Sequence, residues 1–251
     1  KLRFKVSHVE AGLRSFDMNM PEEVNRVLTD RISDILFCPT DTAIENLKRE
    51  GRDHSNCRIV KSGDVMKDIA LFSSPHAKSP DFPVPEDFIL VTMHRAGNTD
   101  DPRKLASIIR ALNRISYEID IIFPIHPRTR KILSENGIKT EFDCVEPVGY
   151  LQMLYLLKNC RCVLTDSGGL QKEAFLFQKL SVILREKTEW VELVEHGFAI
   201  LTGSDEEKIY KGYKMMVKKP LDFNGNFYGA RKASEIIAKE LSHDLYIVSS
   251  V

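Results

Sequence analysis

Short runs of apolar residues alternate with longer amphipathic segments along most of the chain. The runs are rich in β-branched residues, as is typical of buried strands, whereas the longer segments repeat their apolar positions at helical spacing. This alternation predicts β–α units around a parallel sheet and therefore an α/β fold. The predicted strands are residues 4–9, 35–38, 88–93, 119–124, 162–165, 181–184 and 199–201.

Apart from the helix that follows the Ser-Gly-Gly turn described below, three helices are predicted, two of them with defined starts. Pro21 suits the first position of one helix, and Glu22 and Glu23 suit the positive end of its dipole. Asp101 and Pro102 are the predicted cap and first residue of the second helix. A third, amphipathic helix is predicted over 233–241. The apolar faces are predicted from Val24, Val27, Leu28 and Ile32 for the first helix, and from Leu105, Ile108, Ile109 and Leu112 for the second.

A proline-rich stretch, SSPHAKSPDFPVPED at 73–87, divides the chain. Its prolines remove backbone donors and favour extended geometry, so it is predicted to be an interdomain linker. The 72 residues before it are too few for a complete doubly wound domain, and the chain already opens on a predicted strand. We therefore expect a fragment of a longer protein, the alternative being an unresolved N-terminus. The predicted domains are 1–72, an incomplete first domain, and 88–230, a complete second domain, followed by a C-terminal helix and tail at 231–251.

Composition narrows the class of function. The 36 Lys and Arg residues balance 36 Asp and Glu residues, which disfavours non-specific binding of nucleic acid. No apolar run is long enough to span a membrane, so no membrane partner is expected. The five cysteines have neither the spacing of a zinc site nor that of a disulfide framework, which favours a reducing cytoplasm and predicts no metal.

A Ser-Gly-Gly turn joins a predicted strand to a predicted helix at Ser167, Gly168 and Gly169. Glycines at such a turn let the backbone approach a ligand, and the free N–H groups of the helix start favour an anion such as a diphosphate. Glu173 follows on the same helix, where its carboxylate is suited to ribose hydroxyls. The structural alternative is a tight turn capped by Ser167, with Glu173 as an ordinary helix former.

Two His-Arg pairs follow predicted strands, at His94-Arg95 and at His126 with Arg128. The carboxyl ends of parallel strands are where open α/β sheets bind ligands. A histidine there can donate a proton, and an arginine can neutralise phosphate. Each pair taken alone is more often structural, but two pairs at one sheet edge favour a functional interpretation.

Two carboxylates are candidates for acid–base work. Glu10 lies at the carboxyl end of the first predicted strand, and Glu22 lies at a helix start. Two such groups can divide the roles of acid and base if their environments differ. For Glu22 and Glu23, complementation of the helix dipole is the simpler interpretation.

Together these segments resemble the non-hydrolysing UDP-N-acetylglucosamine 2-epimerase family. The resemblance runs in order from Lys1 to about Ser234. Within the family, the sequences of the segments FCPT, HPRTR and TEWVELV are most similar to those of the branch that includes UDP-2,3-diacetamido-2,3-dideoxyglucuronate 2-epimerases of surface-polysaccharide synthesis. The segments that carry the resemblance are HVEAGLRSFDMNMPEEVNR, SDILFCPTDTAIENLKREG, TMHRAGNTDDP, FPIHPRTRK, TDSGGLQKEAF and REKTEWVELVEHG.

The resemblance implies a glycosyltransferase-B-like pair of Rossmann-type domains with a UDP-sugar in the cleft between them, and a last helix that crosses back to the first domain. It also implies epimerisation at C2 by elimination and re-addition of UDP, without a cofactor or metal, in a cytoplasmic homodimer. The family's catalytic motif residues correspond to Glu10, Glu22 and His94. Its substrate contacts correspond to Arg95, His126, Val148, Met153, Ser167, Gly168, Gly169 and Glu173, with the uracil near 148–153.

The chain also departs from the family pattern. Gly97 stands where Glu is usual, Leu180 where Pro is usual, and Trp190 where many members have Arg. Ala230-Arg231 replaces Asp-Gly or Asn-Gly, and the family's first strands and nucleotide loop have no counterpart. We therefore expect the 251 residues alone to bind UDP, to self-associate and to show no C2 exchange. The alternatives are a catalytically inactive UDP-sugar-binding remnant and a retaining glycosyltransferase of the same architecture.

Overall fold

A computed structural model describes residues 4–54, 56–220, 222–223, 227–229 and 232–248, the last six by their backbone. The chain forms two compact units. Unit 1 comprises Lys1–Phe72 and Asn224–Val251, and unit 2 comprises Ser73–Phe223. Unit 1 contains the predicted first domain together with the last helix, which the family resemblance expected to return to that domain. The proline-rich stretch, predicted as a linker, joins unit 2, and the C-terminal segment starts at 224 rather than 231.

The predicted alternation of strands and helices is present in both units. The strands are β1 Ser7–Val9, β2 Ile35–Cys38, β3 Arg58–Lys61, β4 Phe88–Thr92, β5 Asp120–Pro124, β6 Cys144–Val145, β7 Cys162–Thr165, β8 Ser181–Ile183 and β9 Ala199–Leu201. The helices are α1 Pro21–Ile32, α2 Asp41–Arg49, α3 Val65–Ser73, α4 Ala96–Thr99, α5 Pro102–Ser116, α6 Pro127–Glu135, α7 Tyr150–Asn159, α8 Gly168–Leu176, α9 Val191–Glu195, α10 Glu206–Met216 and α11 Ala233–Val248. Every predicted strand is confirmed within a few residues, whereas β3 and β6 were not predicted.

Unit 1 is built on a parallel sheet in the order β1-β2-β3. Ile35 and Phe37 of β2 pack against Ile237 of α11, so the last helix of the chain contributes to the core of the first unit. Asp68 of α3 accepts hydrogen bonds from the backbone N–H groups of Lys232 and Ser234. This carboxylate therefore caps the start of α11 from another helix.

The apolar face predicted for α1 is wrong in part. Leu28 and Ile32 are 58% and 53% exposed, while Glu23 and Asp30 are buried on the opposite side of the helix. The buried face is polar because both carboxylates accept hydrogen bonds from the loop that follows β1. These bonds supply the partners that buried charges require.

Unit 2 is a six-stranded parallel sheet in the order β6-β5-β4-β7-β8-β9. Numbered within the unit, this is the order 3-2-1-4-5-6 of a Rossmann sheet. Side chains alternate between its two faces. Ile89 and Val91 pack in a cluster with α5 and α10, and Phe88 and Leu90 pack in a second cluster with α7 and α8. Helices thus cover both faces, as a doubly wound sheet requires.

Helix α5 is confirmed as predicted. The Asp101 side chain accepts hydrogen bonds from the backbone N–H groups of Arg103 and Lys104, which caps the first turn. The predicted apolar positions, Leu105, Ile108, Ile109 and Leu112, are all buried in the core.

The proline-rich stretch 73–87 carries apolar anchors. Phe82 and Val84 pack against the core cluster that contains Phe88 and Leu90, which is why the stretch belongs to unit 2. The described helices of either unit include none with the length and apolarity needed to cross a membrane.

Candidate active site

The two central strands of unit 2 end side by side. Thr92 of β4 pairs with Thr165 of β7, and their hydroxyls form a hydrogen bond of 2.6 Å. The strand order reverses between these two strands, and ligands of open α/β sheets bind at that point. His94 follows β4 by two residues and Ser167 follows β7 by two residues. The fold therefore brings two of the predicted motifs to one edge of the sheet.

Asp166 joins these two loops. Its carboxylate is fully buried and accepts hydrogen bonds from the backbone N–H groups of His94 and Arg95 and from the Asn98 side-chain amide. Nδ1 of His94 lies 3.5 Å from Asp166 Oδ1, and the Arg95 guanidinium donates to the Asp166 backbone oxygen. The imidazole remains 55% exposed. Asp166 thus fixes the His94 loop and leaves the ring accessible to a ligand.

Ser167 is the N-cap of α8, as the structural alternative predicted. Its hydroxyl accepts from the backbone N–H of Leu170, and its own N–H donates to Thr165 Oγ1. A Cβ on Gly168 would lie 2.3 Å from Glu189 Oε1, whereas a Cβ on Gly169 would meet nothing within 4 Å. Gly168 therefore serves close packing, while Gly169 borders open space at the positive end of the helix, where an anion is favoured.

Glu173 is linked to the segment predicted to hold the uracil. Its carboxylate, in a residue only 5% exposed, accepts a hydrogen bond of 2.8 Å from the Tyr150 hydroxyl. Burial and the adjacent carboxylate raise the pKa of Tyr150, so its hydroxyl stays protonated at neutral pH. Val148 and Met153 flank Tyr150 and pack, partly buried, against the core.

His126 follows the neighbouring strand β5 and caps α6. Its Nδ1 accepts a hydrogen bond of 3.2 Å from the backbone N–H of Arg128, and Arg128 pairs with Asp100. This second His-Arg pair therefore makes structural contacts, as is expected for such a pair taken alone. It lies at the same edge of the sheet as His94.

In unit 1, Glu10 directly follows β1 and adopts a φ of 66°. The left-handed region is uncommon for a residue with a side chain, and such strain is concentrated at functional sites. Gly12 adopts a φ of 78°, and a Cβ there would lie 2.3 Å from the Ala43 backbone oxygen. Glycine adopts this angle readily and has no Cβ to clash, so the loop after β1 is unstrained at Gly12 and strained at Glu10.

Glu22 and its neighbour Glu23 have different surroundings. Glu22 is exposed in the first turn of α1, whereas Glu23 is buried and accepts from the backbone N–H groups of Ser15 and Phe16. Helix-dipole complementation therefore does not describe Glu23 fully, since this carboxylate also holds the loop after β1.

A buried ion-pair network supports the same loop. Asp30 lies 2.6 Å from His8 Nδ1 and 2.7 Å from Arg14, and it accepts from the backbone N–H of Gly12. Arg14 also donates to both carboxylate oxygens of Glu50. Burial alone would raise the pKa of Asp30, but the bonds from His8 and Arg14 outweigh it and hold that pKa below its ordinary value.

Cys160 and Cys162 are both buried, but in separate core clusters. Burial raises the pKa of Cys160 to about 12 and also raises that of Cys162. Among the described residues, no group of three or more His, Cys, Asp or Glu side chains is placed to hold a metal ion.

Three of the departures from the family pattern lie in unit 2. Gly97 is exposed in α4, Leu180 is buried in the core, and Trp190 is buried with the Lys172 ammonium 4.3 Å from its ring centroid. The departure at 230–231 lies outside the described residues.

Comparisons with known proteins agree on one family. The family model described as UDP-N-acetylglucosamine 2-epimerase matches residues 1–242. The chain is 50% identical over 244 residues to the UDP-2,3-diacetamido-2,3-dideoxy-D-glucuronate 2-epimerase of Pseudomonas aeruginosa, with 96% of this chain and 69% of the relative covered. It is 40% identical over 262 residues to the UDP-N-acetylglucosamine 2-epimerase of Methanocaldococcus jannaschii, with 98% and 71% covered.

Solved structures show the same relationship. The Methanocaldococcus jannaschii UDP-GlcNAc 2-epimerase in complex with UDP-GlcNAc and UDP superposes with a TM-score of 0.89 at 41% identity, covering 96% of this chain and 70% of that one. The Neisseria meningitidis enzyme bound to UDP-GlcNAc gives 0.84 at 27% identity, with 96% and 71% covered. These matches confirm the predicted glycosyltransferase-B-like α/β fold class. The chain belongs to the UDP-N-acetylglucosamine 2-epimerase family.

Proposed function

We propose that this protein inverts C2 of a UDP-linked N-acetylhexosamine, UDP-N-acetylglucosamine in the first instance, by eliminating and re-adding UDP. The observation that carries the proposal is the convergence of the His94 loop and the Ser-Gly-Gly turn at the switch point of the unit 2 sheet, tied together by Asp166. That arrangement combines an exposed imidazole with an anion-binding helix start, which departure of a diphosphate requires.

The chemistry follows from the substrate. No carbonyl acidifies the hydrogen on C2, so a base removes that proton as the bond from C1 to the diphosphate oxygen breaks and UDP departs. The product is a glycal. A proton is then added to C2 from the opposite face, and UDP re-forms its bond to C1. Glu10 and Glu22 divide the roles of base and acid, and His94 controls protonation beside the departing diphosphate.

UDP binds to unit 2 in this proposal. Gly168 and Gly169 present backbone N–H groups to the diphosphate, and Glu173 accepts from the ribose. Arg95 and His126 follow adjacent strands of the same sheet and contribute positive charge and hydrogen bonds. Residues 148–153 contact the uracil.

Calorimetry with UDP tests the nucleotide assignment. Glu173→Ala should weaken UDP binding by about 1.5–3 kcal/mol, the range for a hydrogen bond to a charged group. Glu195→Ala, which removes an exposed carboxylate from α9, is the matched control and should leave the affinity unchanged. Unchanged affinity in Glu173→Ala would remove Glu173 from the site.

Deuterium incorporation at C2 in D₂O tests the epimerase reaction and separates it from both alternatives, since a binding remnant or a glycosyltransferase would not exchange that hydrogen. We would compare the 251-residue chain with a chimera that carries the N-terminal part of the Methanocaldococcus jannaschii relative. We expect exchange in the chimera, and its absence there would contradict the proposal. Robust exchange in the 251-residue chain would contradict our expectation that this chain alone is inactive.

In the chimera, His94→Asn and Glu22→Gln should each lower turnover by about 10²–10⁴, as is usual for general acid–base groups. Both variants should keep their affinity for UDP. Near-normal turnover in both would show that the catalytic groups are misplaced.

The second candidate substrate is UDP-2,3-diacetamido-2,3-dideoxy-D-glucuronate. It is favoured by the Pseudomonas aeruginosa relative, which is 50% identical to this chain, against 40% for the Methanocaldococcus jannaschii enzyme. Initial rates with the two UDP-sugars, measured side by side in the same preparation, decide between them.

The resemblance to the family also leads us to propose a homodimer, which light scattering of the purified protein tests. We also propose a cytoplasmic location, because the five cysteines have no spacing typical of a disulfide framework and therefore suit a reducing compartment.

A further inference from the structure

We propose that Tyr150 is a positioning residue that orients the Glu173 carboxylate, so that the protein distinguishes a ribonucleotide from its deoxy analogues through this pair. The inference rests on the proposed function, since it names the residue that prepares the ribose contact of the UDP site. Its starting point is the hydrogen bond of 2.8 Å from the Tyr150 hydroxyl to Glu173 Oε1.

The bond connects two helices on the same face of the unit 2 sheet. Tyr150 is the first residue of α7, and Glu173 is the sixth residue of α8. Leu156 of α7 and Ala174 of α8 share one buried core cluster, so both helix backbones are fixed by packing. A tyrosine has few rotatable bonds, so its hydroxyl can hold the carboxylate in one orientation at a small entropic cost.

The chemistry of the pair favours orientation over blocking. A carboxylate has two oxygens with several acceptor positions, and the phenol occupies only one of them. A protonated phenol bonded to a carboxylate makes a strong, charge-assisted hydrogen bond. Tyr150 is 39% exposed whereas Glu173 is 5% exposed, so the more exposed residue of the pair holds the more buried carboxylate. In the proposal, a ribose hydroxyl that reaches this carboxylate meets an acceptor that is already aligned.

Three ligands and two variants isolate this role. Titration calorimetry is carried out with UDP and with 2′-deoxy-UDP and 3′-deoxy-UDP on the wild-type chain, Tyr150→Phe and Tyr155→Phe. Tyr155 lies on the same helix, where its side chain packs against the core, so Tyr155→Phe removes a hydroxyl without touching Glu173. A general effect of removing a phenol hydroxyl would appear in both variants.

We expect the wild type to bind UDP more tightly than at least one deoxy analogue, because a site built to accept a hydroxyl discriminates against a ligand that lacks it. Tyr150→Phe should weaken UDP binding about tenfold, near the lower end for loss of a hydrogen bond to a charged group. It should change the affinity for that deoxy analogue less than about twofold, so that the selectivity falls. Tyr155→Phe should leave all three affinities unchanged.

A double-mutant cycle with Glu173→Gln provides the second measurement. If Tyr150 acts through Glu173, adding Tyr150→Phe to Glu173→Gln has little further effect on UDP affinity. Equal losses for UDP and the deoxy analogue, additive losses in the cycle, no loss, or tighter binding in Tyr150→Phe would each overturn the inference while leaving the UDP site in place. Failure of the wild type to bind UDP would overturn the proposed function, and this inference with it.

Discussion

Asp166→Asn is the substitution that should most clearly expose how the His94 loop is held. The replacement keeps the shape of the side chain and removes its charge and one of its two acceptor oxygens. In the structure the carboxylate is fully buried and accepts from two backbone N–H groups, those of His94 and Arg95, and from the Asn98 amide. An amide in this place turns two N–H donors toward groups that are themselves donors.

The magnitude follows from that count. One or two of the three donors lose their acceptor, and each buried polar group left without a partner costs about 1–3 kcal/mol. We therefore expect Asp166→Asn to destabilise unit 2 by about 2–4 kcal/mol. If the loop instead rearranges to recover its hydrogen bonds, part of that loss will appear as weaker UDP binding, because His94 and Arg95 will have moved.

Urea unfolding followed by circular dichroism measures the first effect, and UDP titration measures the second. Asp120→Asn is the matched control, since Asp120 is exposed in the neighbouring strand β5. A free energy of unfolding within about 0.5 kcal/mol of that control, with unchanged UDP affinity, would refute the role assigned to Asp166.

Two further predictions concern unit 1. Gly12→Ala should destabilise it by more than the roughly 1–2 kcal/mol of a left-handed residue, because its Cβ would lie 2.3 Å from the Ala43 backbone oxygen. Gly51 also has a positive φ, but an added Cβ there would meet no atom within 4 Å, so Gly51→Ala measures the backbone strain without a clash. Equal unfolding midpoints for Gly12→Ala and Gly51→Ala would contradict the clash. Since the pKa of Asp30 is lowered on folding, its stabilisation should be complete above about pH 4 and disappear as pH falls below it. Asp30→Asn should flatten that acid limb of the unfolding curve, and an unchanged limb would contradict this reasoning.

The sheet of unit 2 was predictable because its strands are buried on both faces and therefore appear as continuous apolar runs. Strand β3 carries Arg58 and Lys61 at its ends and two partly buried residues between them, so no such run marks it. Strand β6 has only two residues, Cys144–Val145, and pairs with one neighbour. Short edge strands are specified by their partner more than by their own composition, and such partners are not visible in a local pattern.

The candidate site was predictable where a motif directly follows a strand, as His94 and Ser167 do. It was not predictable where the partner is distant. Asp166 and His94 are 72 residues apart in sequence, and only the pairing of β4 with β7 brings them together. The signal in the sequence is an acidic residue, Asp166, between a buried strand and a Gly-Gly turn.

Buried carboxylates hold the candidate catalytic loops of both units. Glu23 and Asp30 accept backbone N–H groups from the loop that carries Glu10, and Asp166 accepts those of the loop that carries His94. Loop backbone has no ladder to satisfy its N–H groups, so a buried acceptor takes that place and fixes the loop before any ligand arrives. This also explains why the hydrophobic pattern failed on α1. The face that α1 buries orders a loop. A carboxylate buried for this purpose cannot be told from a solvated carboxylate by the local sequence alone.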